Sequence, residues 1–160
     1  MKSITLIRHA KSSWEFPEKD FDRDLTSKGI YNATRCALLS IGEIENNSII
    51  WSSTANRAIK TAAIFLKNWN LNTDRIQLKD DLYTFEVNKL EQIVKSCPNN
   101  ADNLILFGHN SAITDFVNKF GDIFIDNVPT SGFVSIKFEI NNWSELRKGH
   151  TTKILFPRDN

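Results

Sequence analysis

The 160-residue sequence predicts an α/β fold, a three-layer α/β/α sandwich around a mostly parallel central sheet that ends in antiparallel strands. Three observations predict it. Short aliphatic runs alternate with segments whose apolar residues recur at helical spacing, this alternation fills the front of the chain, and the tail changes to strand-like patterning. Alternating strands and helices are joined by right-handed crossovers, which place the front strands parallel and the helices on the sheet faces. No repeat, low-complexity tract or Pro/Gly-rich linker divides residues 1–160, and a chain of this length fills one domain.

Each element follows from a local pattern. Ile4–Ile7 reads as a buried strand, as do Ser48–Trp51 and Asn103–Phe107. Ile30, Ala33, Ala37 and Ile41 mark a first apolar helix stripe, opened by Thr26 as a cap and closed near Gly42. Ala55, Ala58, Ala62, Phe65 and Trp69 mark a second. A third helix spans about Phe85–Ser96 with Val87, Leu90 and Val94 inward, and Pro98-Asn99-Asn100 stops it. A short helix, about Ser111–Lys119, follows the Asn103–Phe107 strand. Gly132–Ile140 and Thr151–Phe156 read as the closing strands around a turn at Asn141–Ser144. One connection resists the regular pattern: Ala10–Leu25 is far longer than the ~2–6 residues α/β loops need. It holds Lys11, Ser12, Ser13 and Trp14, then Phe16, Pro17 and Phe21 in a mixed-charge stretch. That composition fits a lid pinned by aromatics, or a variable surface loop.

Composition excludes several functions. With 20 Lys+Arg against 19 Asp+Glu the net charge is +1, which supplies no field for a polyanion and argues against nucleic-acid binding by bulk charge. Apolar runs such as Leu104–Phe107 and Ile123–Ile125 fall well short of the ~18 residues of a membrane span. The first residues lack the apolar region of a secretory signal. Cys36 and Cys97 have no C-x-x-C spacing and no further partners, so they read as two small buried hydrophobes in a cytoplasmic protein.

Histidine is the scarce residue, with three in the chain. Ligands of open α/β sheets bind beyond the carboxyl ends of the strands, and His9 (beside Arg8) and His109 both stand at such ends. Either alone reads equally well as a surface residue; two at equivalent ends point to a site. Arg57 lies in the first turn of a helix opened by Ser53 or Thr54, where a cation opposes the helix dipole. A bound anion would compensate, since helix N-termini and arginine forks both match phosphate oxygens; a solvated or salt-bridged Arg is the plainer alternative. Arg8, His9, Arg57 and His109 together describe an oxyanion pocket.

These residues also carry a family resemblance. Leu6-Ile7-Arg8-His9-Ala10-Lys11-Ser12-Ser13-Trp14 resembles the R-H-G signature of the histidine phosphatase superfamily, with Ala10 in place of the usual glycine. Asp24-Leu25-Thr26-Ser27-Lys28-Gly29 resembles its L-T-x-x-G. Ser52–Ala62 resembles S-P-x-x-R-A-x-x-T-A, with Ser53-Thr54 for Ser-Pro, and Gly108-His109-Asn110 resembles the second-histidine motif. The short length and the K-S-S-W continuation are similar to the SixA-type phosphohistidine phosphatase branch.

The resemblance implies that His9 attacks phosphorus to form a phosphohistidine that water hydrolyses, with Arg8, Arg57 and His109 clamping the phosphoryl oxygens. Nearby cations push protons off imidazole, so the two arginines are expected to keep His9 neutral. Ser12 and Lys11 are further candidates for substrate contact, and Lys11 and Lys60 could attract an acidic partner or simply be solvated. Asp81 aligns best with the family's general acid; Asp80 is the fallback, and Glu86 reads as a favourable charge at a helix start. No cofactor or metal is implied, and a zinc site on His9 and His109 would set two arginines against the ion. Trp14, Trp51, Trp69 and Trp143 read as core or loop anchors, and His150 has no evident partner. The stretch Trp69–Asn103 holds one helix and little else, so no inserted cap closes the pocket. The expected partner is a phosphorylated protein, foremost one bearing phosphohistidine. A small phosphate ester, or a non-catalytic phosphate-binding module, is the alternative.

Overall fold

A computed structural model describes residues 1–14 and 19–157. Phe16 and Pro17 of the expected lid lie outside the described residues. In chain order the elements are β1 (Lys2–Arg8), α1 (Ser27–Ser40), β2 (Ile49–Ser53), α2 (Asn56–Asn68), β3 (Ile76–Lys79), α3 (Val87–Lys95), β4 (Asn103–Gly108), α4 (Ala112–Phe120), β5 (Phe133–Phe138) and β6 (His150–Leu155). They build one six-stranded sheet in the order β3-β2-β4-β1-β5-β6. The first four strands of that order are parallel, and β5 and β6 add antiparallel pairings. This is the α/β fold expected from the sequence.

Both faces of the central strands are buried, which is why they read as continuous aliphatic runs. Along β1, Ile4 and Leu6 face a core with α3 and α4 residues such as Leu90, Val94, Phe116 and Phe120. Ile7, with Ile105 and Phe107 of β4, faces the opposite core, which α1 and α2 close with Ala33, Ala37, Phe65 and Trp69. Phe65, Trp69 and Phe107 meet at ring-centroid distances of 5.4 to 6.4 Å. The Trp69 indole N–H donates to Ala37 O and Ser40 Oγ, joining α2 to the end of α1. Truncating such a buried aromatic costs about 3–5 kcal/mol.

Two readings of the elements needed correction. The expected stripe on α1 is only half inward: Ala33 and Ala37 are fully buried, whereas Ile30 and Ile41 are 48% and 46% exposed. The inner face consists of small residues, Gly29, Ala33, Cys36, Ala37 and Ser40, and these let the helix approach the sheet closely. At Gly29 the start of the helix lies against the chain that follows β1, where a Cβ would come 2.3 Å from the Lys11 carbonyl oxygen. The second correction is β3, which lies in the stretch expected to hold one helix and little else. It is a four-residue edge strand with Gln77 and Leu78 exposed, too short and too little buried to give a strong pattern. Cys36 and Cys97 are buried free thiols, and burial pushes both up to about 11. Trp51, Trp69 and Trp143 are core residues, but Trp14 is 72% exposed.

Candidate active site

Three adjacent parallel strands, β2, β4 and β1, end on one side of the sheet, and each delivers part of one cluster. Arg8 and His9 end β1. His109 follows β4, whose Gly108 carbonyl accepts the His9 amide at 3.0 Å. Ser53 ends β2, and the connection into α2 places Arg57 in the first helical turn. The imidazoles of His9 and His109 lie 5.2 Å apart between ring centroids. His9, Arg57 and His109 are only 7%, 2% and 2% exposed. The helix opens on Ala55 without a side-chain cap. Ser53, one of the two expected caps, accepts the Ala55 amide and also hydrogen-bonds His109.

Hydrogen bonds set the two imidazoles differently. His9 Nδ1 lies 2.8 Å from the Ala10 carbonyl oxygen, and a carbonyl can only accept, so the proton is on Nδ1 and Nε2 keeps its lone pair. His109 Nε2 lies 2.8 Å from Ser53 Oγ, while its Nδ1 is buried with no partner. Among the described residues, the buried side-chain polar atoms without a partner are Arg8 Nε, Arg57 Nε, His109 Nδ1 and Ser131 Oγ. All four belong to this cluster: the Ser131 amide reaches Arg8 O and His9 O at 3.1 and 3.2 Å. An unsatisfied buried group costs about 1–3 kcal/mol. A tetrahedral oxyanion presents enough lone pairs to satisfy several such donors at once.

Burial, more than charge, sets the protonation state. The His9 pKa falls to about 4, with desolvation the largest cause and Arg57, Arg8 and Arg23 adding to it, against the pull of the Ala10 hydrogen bond. The His109 pKa falls to about 3, through burial first and then His9 and Arg57. The arginines expected to keep His9 neutral are the smaller cause. Both rings are neutral at pH 7.

The long connection reaches into the cluster. Its Asp20 carboxylate pairs with Arg57 Nη2 at 3.1 Å and with Arg23 Nη2 at 3.1 Å, and it accepts the Tyr83 hydroxyl. The Asp20 carbonyl accepts from Arg57 Nη1 at 2.6 Å. Burial works to raise the Asp20 pKa, but the Tyr83 hydroxyl and the arginines outweigh it and hold the group ionised. Tyr83 and Phe85 stand against His109 at 5.3 and 5.4 Å, and Phe21 packs on Tyr83, forming an aromatic wall.

A model of the histidine phosphatase superfamily (branch 1) matches residues 4–104, well over half of the chain. The chain belongs to the histidine phosphatase superfamily. Among solved structures it resembles the SixA proteins of Nakamurella multipartitia (20% identity, TM-score 0.80, covering 98% of this chain and 96% of that one) and Agrobacterium tumefaciens (24%, 0.79, 98% and 99%). It also resembles the protein histidine phosphatase SixA complexed with tungstate (16%, 0.80, 97% of each chain). No curated protein matches in sequence.

For this histidine phosphatase chain the structure brings Arg8, His9, Arg57 and His109 together. Ala10, where the family has glycine, is fully buried and does not have a positive φ; its carbonyl orients His9 as a glycine's would. Ser12 pairs with Leu25 as an isolated bridge that closes the base of the long loop. Lys60 pairs with Asp24 at 2.8 Å, so it offers an acidic partner little free charge. Asp81 and Asp80 are exposed, and their carboxylates form no hydrogen bond or ion pair with any described residue. The side chain from that turn that reaches the cluster is Tyr83. Sequence reasoning missed Asp20, Arg23, Tyr83 and Ser131. Arg23 was the most legible of these, an arginine two residues before the L-T-x-x-G motif. His150, left without a partner from sequence, pairs with Asp122 at 2.8 Å far along the chain from the cluster.

Proposed function

We propose that the chain is a phosphatase that works through a phosphohistidine on His9, acting on phosphohistidine in a protein partner. The observation carrying the reading is the His9 imidazole, neutral, with Nδ1–H held by the Ala10 carbonyl, Nε2 without a hydrogen bond to any described residue, and Arg57 and His109 buried in the same cluster. Nε2 attacks phosphorus, the bond from phosphorus to the leaving group breaks, and the guanidiniums stabilise the equatorial oxygens. Water then attacks the phosphoryl-His9, releasing inorganic phosphate and restoring the ring. The guanidiniums supply the positive charge that a metal would otherwise provide.

The missing acid supports the choice of substrate. Among the described residues, the one carboxylate bonded to the cluster is Asp20, which is ionised and held by two arginines. A poorly leaving alkoxide needs a proton donor, whereas the imidazole of phosphohistidine is a better leaving group that solvent can protonate. Tungstate, the oxyanion bound in a SixA structure of similar fold, is a tetrahedral analogue of the phosphoryl group proposed to sit here.

A single turnover with a phosphohistidine peptide labelled in the phosphoryl group tests this. The expected result is acid-labile label on the protein that is absent in His9→Ala. Stoichiometric binding without label or turnover would overturn the catalytic reading in favour of a phosphate-binding module. Faster turnover of sugar phosphates or nucleotides than of the peptide would overturn the substrate.

A further inference from the structure

We infer that a basic cavity adjoining Arg8 is a second anion subsite, which receives an acidic group that the substrate carries in addition to its phosphoryl group. This rests on the phosphatase reading of the neighbouring cluster. The cavity has a volume of about 300 Å³ and is lined by Arg8, Lys11, Lys28, Asn32, Asn127 and Thr130. Three cations line it, and no acidic described residue does.

Local structure explains why the two lysines meet there. The Lys11 carbonyl accepts the Thr26 amide at 2.9 Å, and Gly29 lets the first turn of α1 lie against the Lys11 backbone. The chain after His9 and the start of α1 are therefore fixed side by side. Neither ammonium has a carboxylate partner among the described residues, in contrast to Lys60 beside Asp24 and Lys119 beside Glu91.

A second observation points to a ligand. Asn32, on the inner side of α1 one turn beyond Lys28, is 8% exposed and lines the cavity, and its side-chain amide has no hydrogen bond to any described residue. Its polar atoms keep access to solvent, so a ligand in the cavity can pair with them. An anion seated between the lysines would accept from the Asn32 amide nitrogen, and the positive end of α1 favours it further. Arg8 belongs to both regions, so the second anion would sit next to the phosphoryl group rather than at a separate site. A carboxylate beside phosphohistidine in an acidic peptide has this chemistry, and so does the second phosphate of a bisphosphorylated small molecule.

The test compares phosphohistidine peptides that differ only in Glu or Gln at the flanking positions, using the wild type and Lys28→Glu. The wild type is expected to favour the acidic peptide about fivefold to tenfold in kcat/KM, mainly through KM, with the preference shrinking as salt rises. Lys28→Glu is expected to abolish the preference and to favour a Lys-flanked peptide instead, an inversion that loss of structure would not produce. Fluorescence anisotropy of the same labelled peptides on His9→Ala reads the subsite without turnover, so it fails separately from the phosphatase reading. No preference for the acidic peptide in either measurement together with none for a bisphosphorylated over a monophosphorylated sugar, or a preference that Lys28→Glu leaves intact, would overturn the subsite. A preference seen only for a bisphosphorylated over a monophosphorylated sugar, and lost in Lys28→Glu, would support it and assign the anion to a small molecule.

Discussion

The ends of β1 and β4 look alike in sequence and differ in how they hold an imidazole. The strands are parallel neighbours with Arg8 opposite Gly108, and each is followed by a buried histidine whose pKa burial depresses. At the β1 end, the carbonyl one residue on fixes Nδ1–H and frees Nε2. At the β4 end, a hydroxyl from β2 holds Nε2 and leaves Nδ1 without a partner. The Ser53 oxygen also accepts the Ala55 amide, and its hydroxyl can donate to Nε2, the arrangement in which the His109 proton sits on Nδ1. One ring therefore presents a lone pair and the other a hydrogen. The difference supports the proposed roles, His9 as nucleophile and His109 as donor, for two residues that composition and strand position alone could not distinguish.

The sharpest way to break this comparison is to delete each ring in turn. His9→Ala removes the proposed attacking atom, and its turnover is expected to fall by about 10⁴-fold or more, with no phosphoenzyme formed. His109→Ala removes the proposed donor to the phosphoryl oxygens. Its expected loss is about 10²–10³-fold, with label still transferred to His9. Single-turnover quench measurements check both. Equal losses, or label on His109, would reverse the assignment.

The site was legible where the fold itself supplied the rule. His9 and His109 follow from strand ends, and Arg57 from a cation standing where a helix start disfavours one. Asp20, Arg23 and Tyr83 were not legible, because they converge from an irregular loop and a short turn whose path no periodicity encodes. Asp81 shows the converse case: it was chosen by alignment to a motif, and at the turn Asp80–Leu82 it is exposed while Tyr83 reaches the cluster. In the fold, helix and strand periodicity was enough for the buried elements. It failed for β3, an exposed edge, and for α1, where small residues rather than Ile30 and Ile41 make the contact.

A smaller effect sharpens the comparison at its second partner. Ser53→Ala leaves both rings in place but frees the His109 tautomer, and kcat is expected to fall about tenfold, the usual size for loss of an orienting partner. Ser53→Thr restores the hydroxyl and is expected to recover most of the activity. Because His9 is held by backbone, the rate of phosphoenzyme formation per productive encounter is expected to keep its pH dependence in both variants. A Ser53→Ala profile shifted on its acid side would show that Ser53 acts on His9 as well.

The smallest expected effect is in the titration of the three rings, which NMR of the C2–H resonances follows directly. His9 and His109 are expected to stay neutral from pH 8 to 5 and to take up protons near 4 and 3, whereas His150, exposed beside Asp122, titrates above the usual 6.5. The signs differ for stability. For His9 and His109 the unfolded chain binds protons near 6.5 and the folded one does not, so their contribution is intact above that value and declines as pH falls towards 4 and 3. For His150 the stabilisation by Asp122 is present below 6.5 and is lost as pH rises through its folded pKa. A His9 resonance that titrated near 6.5 would mean an exposed, mostly solvated ring, and the contrast between the two strand ends would then have to rest on hydrogen bonding alone.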